Sequence, residues 1–209
     1  YNRLTYSLTL ENDSSVSNIA QRRKVSENQV QNEIISKLID ILDKNGDSII
    51  NSFGIKLSKN GEFVFTLSDS ALLQFKKEVY SAASVDKLTK KQKNADAKTV
   101  FNYLRNGNED IKKDQMFGVS DEYSDEEALK IVAVRYMLYL NRYNQYVPVT
   151  IAMDLSDSSV AAVQESLEEL PGASIANDSV REYNNSIYFS QILGYTGVIS
   201  EEEKEELNE

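Results

Sequence analysis

Residues 128–197 read ALKIVAVRYMLYLNRYNQYVPVTIAMDLSDSSVAAVQESLEELPGASIANDSVREYNNSIYFSQILGYTG. Leu129, Val132, Ala133, Tyr136, Leu140 and Tyr143 recur at helical spacing and predict a long amphipathic helix with these residues on one face. Ser124-Asp125-Glu126-Glu127 supplies a capping box at its start, because a serine hydroxyl and a glutamate three residues on satisfy each other's free amides. Val147-Pro148-Val149 interrupts the helical pattern, and Val149 to Met153 is predicted to be a strand. Ser156 or Asp157 caps a second helix carrying Val160, Val163, Leu167 and Leu170, which Pro171-Gly172 ends. Ala173 to Ala176 and Val180 to Tyr183 read as two short strands.

Working towards the N-terminus, Leu4 to Leu10 alternates strictly, with leucine and tyrosine on one side and threonine and serine on the other. This is a strand with one buried face. Glu11 to Asn18 reads as a polar loop. Ser26 and Gln29 form a second capping box, opening a helix with Val30, Ile34, Leu38, Ile41 and Leu42 that stops at Asn45-Gly46. Ile49 to Leu57 is extended, and Lys59-Asn60-Gly61-Glu62 turns it into Phe63 to Leu67 as a hairpin. Ser68-Asp69-Ser70 caps a helix with Leu72, Leu73, Phe75, Val79 and Tyr80. Val85 to Lys98 is basic and poor in apolar residues, and reads as a surface helix or loop. Asp96 to Asn106 is a helix closed by Gly107, and Asn108 to Asp121 a loop.

The first strand has no strand partner besides the local hairpin until residue 149. The economical solution is an α+β fold in which both termini build a strand-containing base, residues 1–22 and 145–209. A mainly helical head, residues 23–144, is inserted between them.

Composition narrows the function. The chain has 209 residues with a net charge of −10, which argues against a nucleic-acid platform, since phosphate binding needs a basic face. The charge is uneven: residues 1–120 carry 15 acidic and 18 basic side chains, residues 121–209 carry 18 and 5. With neither cysteine nor histidine, the sequence excludes disulfides, zinc-thiolate centres, cysteine nucleophiles and histidine-dependent triads. No run approaches 18 apolar residues, so nothing here is expected to span a bilayer. The chain opens in mid-pattern at Tyr1-Asn2-Arg3 and is read as part of a longer protein.

Four patterns have chemical readings. Asp43-Lys44-Asn45-Gly46-Asp47-Ser48-Ile49-Ile50-Asn51 spaces its oxygens like a calcium loop. Position six is Ser48 instead of glycine, and position twelve is Gly54 instead of the closing carboxylate, so a plain helix-ending turn is favoured. Ser84-Val85-Asp86-Lys87 matches the S-x-x-K pattern of serine acyltransferases, but no K-T-G strand follows, and Lys98-Thr99-Val100 lacks the glycine. The acidic pairs Glu168-Glu169 and Glu201 to Glu206 read as solvated helix faces. Arg181-Glu182-Tyr183 and Gly194-Tyr195-Thr196-Gly197 are harder to explain by packing. Arg181 would anchor a carboxylate or carbonyls, and the flanking glycines suggest close backbone approach or positive φ. An interface motif and an intrachain strut both fit Arg181, Tyr183, Gly194, Tyr195 and Gly197.

The succession of Arg135-Tyr136, Val147-Pro148-Val149, Glu169-Leu170-Pro171-Gly172, Arg181-Glu182-Tyr183 and Ile192-Leu193-Gly194-Tyr195-Thr196-Gly197 resembles the N-terminal, non-catalytic module of class B penicillin-binding proteins. That module is called the pedestal or dimerisation domain. The likeness is strongest over residues 123–203 and extends more weakly to Leu4–Leu10 and to the helix and hairpin of Ile34–Leu67. The sequence departs from the family at Asn184, where members usually carry proline, and at Gln191, where they often carry histidine. The resemblance implies a membrane-anchored parent on the extracytoplasmic face of the bacterial plasma membrane, a serine-type D,D-transpeptidase whose catalytic domain lies beyond Glu209. It also implies partners: the parent's own transpeptidase domain, a SEDS-family glycan polymerase, cell-shape or division scaffold proteins, and a second copy in a homodimer. No cofactor, metal or catalytic residue is carried over. The alternative is a free-standing extracytoplasmic binding module, weakly calcium-modulated through Asp43 to Asn51.

Overall fold

The computed structural model describes residues 2–108, 111–112, 115–144 and 147–181. Residues Thr5–Asp178 form one compact unit, and residues 1–4 and 179–209 belong to a second. The fold is α+β, as expected.

Strand β1 (Asn2–Leu10) lies in the middle of a three-stranded sheet, between β4 (Val149–Ala152) and β5 (Ala173–Arg181). β1 and β4 run antiparallel, with Leu8 opposite Ala152 and Leu10 opposite Val149, and the register shifts between Leu8 and Thr9. The long-range pairing expected of the first strand is therefore made. Leu8 and Leu10 are buried on one face; Thr5, Ser7 and Thr9 are buried as well. Their hydroxyls are satisfied by β5: Ser7 donates to the Asp178 carboxylate, Thr5 to the Asp178 carbonyl, and Thr9 meets Ser174.

The sheet corrects one expectation. Ala173–Arg181 is a single strand and not two. Asn177 and Asp178 look like a break in the sequence, yet Asp178 is held in the strand by the hydroxyls of β1.

Helix α1 (Ser15–Arg23) occupies part of the segment read as a polar loop. Its apolar content is low, but Val16 and Ala20 fall four apart and are both buried, with Ile19 packed beside them. α2 (Glu27–Lys44) starts at Ser26, whose side chain accepts from the Gln29 amide. The reciprocal half of the expected box is replaced, because the Gln29 side chain donates to Glu33. A two-stranded hairpin of β2 (Ile55–Leu57) and β3 (Phe63–Phe65) follows. Next come α3 (Asp69–Val79), the short α4 (Lys90–Asn94), and α5 (Ala97–Asn106), capped by Asp96.

Helix α6 (Asp125–Leu140) opens with the predicted capping box, Ser124 with Glu127. It departs from the expected amphipathic pattern. Six consecutive residues, Ile131 to Tyr136, are all buried, so no face of the middle of the helix meets water. The cause is its neighbours: α6 packs against α2, α5 and β4. A helix surrounded on several sides is apolar all round, and the one-face rule holds only for surface helices. Its exposed end departs too, since Leu140 and Tyr143 are exposed.

Helix α7 (Asp157–Ser166) is capped by Ser156 and continues into a 3-10 turn, Leu167–Glu169. It packs on α2, as does α1. After it, Gly172 adopts a φ of +85°, and its amide carbonyl accepts from the Glu11 amide at 3.0 Å. A Cβ at Gly172 would stand 2.4 Å from the Glu11 carbonyl oxygen. The turn therefore requires glycine twice, for its dihedral and for the approach to the end of β1. Gly172→Ala is expected to lower the unfolding free energy by about 1–3 kcal/mol in a urea titration. A loss within error of zero would contradict this placement of the turn.

Candidate functional site

Among the described residues, those with recognisable chemistry in the sequence do not converge. Arg181 ends β5. Tyr183, Gly194, Tyr195 and Gly197 lie outside the described residues, as does the acidic run from Glu201. Ser84 precedes a 3-10 turn, Val85–Lys87, in extended conformation and makes no side-chain cap. That turn is not the α-helical frame which the S-x-x-K chemistry uses to bring the amine back to the hydroxyl. Glu169 pairs with Lys37 of α2.

The calcium-like loop is used structurally. Asp43 forms an ion pair with Lys130 of α6 at 2.7 Å. The Asn45 side chain donates to the Ile41 carbonyl, closing the end of α2. Asp47 reaches the start of α7, where its carboxylate accepts from the amide and hydroxyl of Ser156 at 3.0 and 2.8 Å. Ser159, fully buried on the first turn of α7, is also a neighbour of this carboxylate. Burial raises the Asp47 pKa, but the nearby Ser159 hydroxyl and the hydrogen bonds from Ser156 outweigh it and hold the carboxyl below its ordinary value. Ile50 then donates its amide to Ile151 of β4 at 2.8 Å. Residues 47–50 thus strap the end of α2 to both α7 and β4. Among the described residues, no group of three or more acidic side chains is placed to hold a metal ion.

Three buried cations escaped the sequence reading. Arg135, in the middle of α6, donates to the Asn28 side-chain oxygen at 2.6 Å and to that of Asn32 at 3.4 Å. The amide nitrogens of these two asparagines donate onward, Asn28 to the Met116 carbonyl and Asn32 to those of Phe117 and Gly118. The Phe117 ring lies 5.3 Å from the guanidinium. Burial lowers the Arg135 pKa to about 10, which leaves it charged at neutral pH. Arg105 of α5 donates to the Ser120 carbonyl at 2.6 Å and lies beside Asp121 and Asp125. Lys76 of α3 donates to the carbonyls of Lys93 and Ala95, both at 2.7 Å, and so closes the end of α4. Lys76 and Arg105 bind main-chain carbonyls directly, and Arg135 reaches those of residues 116–118 through the two asparagines. The sequence did hold one signal: Arg135 is the single charge in the apolar run Ile131 to Leu140.

These groups are committed to holding the chain together. At the end of α6, Leu140, Tyr143 and Val147 are exposed, Tyr143 by 83%. Arg142 lies over the rings of Tyr139 and Tyr143, at 4.1 and 4.5 Å. Of the two tyrosines expected on one face of this helix, Tyr136 is buried and Tyr143 is not.

A family model described as the penicillin-binding protein dimerisation domain matches residues 1–209. No curated protein matches the chain. Among solved structures, penicillin-binding protein 2B from Streptococcus pneumoniae (strain 5204) aligns at 20% identity with a TM-score of 0.41, over 100% of this chain and 28% of that one. At that identity and score the likeness says nothing of function.

Two outcomes test the buried polar ties. Arg135→Met is expected to cost about 2 kcal/mol in urea denaturation, because the asparagine oxygens lose a charged donor. Making Asn28 and Asn32 Leu as well should cost more, because the carbonyls of residues 116–118 then lose their donors too. For Asp47, the folded carboxyl pKa is depressed, so its contribution is present above the unfolded value and is lost as pH falls through the folded one. Asp47→Asn should therefore be about 1 kcal/mol less stable than the parent chain at neutral pH, with the gap closing below about pH 4. A gap independent of pH would contradict the carboxylate's role.

Proposed function

The chain belongs to the penicillin-binding protein dimerisation-domain family, and from that membership we propose that it is the non-catalytic pedestal of a membrane-anchored peptidoglycan D,D-transpeptidase. The family match over all 209 residues carries this reading. In it, the chain positions a transpeptidase domain that lies beyond Glu209 and holds protein–protein contacts during cell-wall synthesis on the extracytoplasmic side of the membrane. Its partners are the parent's own catalytic domain, a SEDS-family glycan polymerase, scaffold proteins of cell shape or division, and a second copy in a homodimer. Residues 1–22 and 145–209 form the base, and residues 23–144 the head. The pairing of β1 with β4 supports this division, because it returns the chain to its first strand after residue 144. Arg181, Tyr183, Gly194, Tyr195 and Gly197 serve as a structural or interface motif of the base.

The calcium-modulated alternative finds no favour in the geometry of Asp43 and Asp47, whose carboxylates are engaged with Lys130 and Ser156.

The test is covalent labelling with a fluorescent penicillin. The 209-residue chain is expected to take no label. The full product of the source gene is expected to be labelled at a serine outside residues 1–209. Labelling of Ser84, or a full product that takes no label, would overturn the proposal.

A further inference from the structure

The unit Thr5–Asp178 carries two exposed charge groups of opposite sign. Lys87, Lys90, Lys91 and Lys98 are exposed, and none forms an ion pair with a carboxylate of the described residues. The platform beneath them is fixed. Leu88 is buried, Thr89 and Gln92 make a capping box, and Lys76 donates to the carbonyls of Lys93 and Ala95. At the start of α6, Asp121, Glu122, Asp125 and Glu126 are exposed. Arg105 lies 3.5 Å from Asp121 and 3.8 Å from Asp125, and Lys130 lies 3.8 Å from Glu126. Lys130 is shared with Asp43, so these two cations offset only part of the acidic charge.

The lysines stand where their own helices disfavour them. Lys90 and Lys91 open α4, and Lys98 is the second residue of α5. A helix N-terminus carries partial positive charge and favours carboxylates. Cations at these positions cost local stability, and proteins retain such local conflicts at functional sites.

Helix α5 holds the two groups apart. Lys98 and α4 lie at its start, and Arg105, with Asp121 and Asp125, lies at its end. The ten residues of α5 span about 15 Å. Salt screens exposed charges over about 8 Å at physiological ionic strength. Within one copy the groups are therefore too distant to pair.

We infer that they pair between copies: the lysines at the starts of α4 and α5 in one copy dock on the acidic residues at the start of α6 in a second. A two-fold arrangement makes this contact twice, because residue i of one copy meets residue j of the other and j meets i. Charge complementarity chooses the occupant. A chain of net charge −10 repels its own copies except where the facing signs are opposite. The lysine group is such a place, and the same unit supplies a matching group of carboxylates. The contact gives a surface to the second copy named in the pedestal reading and rests on that part of it alone. A monomeric chain would remove the contact and leave penicillin labelling of the full product untouched.

The test is sedimentation equilibrium of the 209-residue chain. Dimers are expected, with a dissociation constant that rises at least about tenfold between about 0.05 and 0.5 M sodium chloride. The pair Lys90→Glu and Lys91→Glu should give monomers, and so should the pair Asp121→Lys and Glu122→Lys. Mixing the two variants should restore a dimer containing one of each, since both contacts are then again between opposite charges; that restoration also shows that both variants are folded. Monomers of the parent chain at every concentration up to about 1 mM and at low salt would overturn the inference. Monomers that still bind polyglutamate through Lys90 and Lys91 would overturn it in favour of a separate acidic partner. Dimers that survive Asp121→Lys with Glu122→Lys, or variants that stay monomeric when mixed, would also overturn it, because the acidic residues at the start of α6 would then not be what the lysines meet.

Discussion

A guanidinium buried among apolar helices has to be hydrogen-bonded wherever it sits, and this requirement at Arg135 orders much of the helical layer. Its donors are met by Asn28 and Asn32 of α2, so α6 and α2 must pack in one register. The same asparagines turn their amide nitrogens to the carbonyls of Met116, Phe117 and Gly118. The segment before α6 is thus fixed by the partners that satisfy a side chain inside it. An apolar residue at 135 would fill the space without specifying which turn of α2 lies opposite, since hydrophobic contact is not directional.

The remaining ties follow the same logic. Lys76 and Arg105 fasten connecting segments by their carbonyls, and Asp47 fastens the start of α7 by an amide and a hydroxyl. Apolar packing supplies the bulk: one continuous core runs from Leu8 of β1 through α2 and α6 to Val163 of α7. Among the described residues, α6 is buried on β4 and the Ile50 amide ties the segment after α2 to the same strand.

How far the sequence disclosed this depends on where the information lies. Local signals were legible. The Ser124–Glu127 box, the Asp96 cap, the stop at Pro171-Gly172 and the hairpin around Gly61 all use neighbours in the chain, and each element was found near its observed bounds. The pairing of β1 with β4 followed from a count of strands. What failed were features decided by distant partners. The start of α1 was read as loop and the rest of it was left unassigned, because Val16, Ile19 and Ala20 form a thin stripe in a polar segment. β5 was divided because Asp178 has turn chemistry until Ser7 and Thr5 of β1 are placed beside it. The stripe assigned to α6 was the strongest of several, and no count of periodicity shows that three neighbours will cover the rest. The Tyr-Gly motifs near the C-terminus carried the family resemblance without disclosing a site.

The central claim is that α6, apolar all round and pinned at Arg135, is the element on which the rest of the unit is assembled. Native-state hydrogen exchange on the 209-residue chain tests it most directly. The amides of Ile131 to Tyr136 are predicted to exchange only through global unfolding, with the same free energy and denaturant dependence as the whole chain. Exchange of these amides through a smaller opening, while β4 or α7 stays protected, would contradict it.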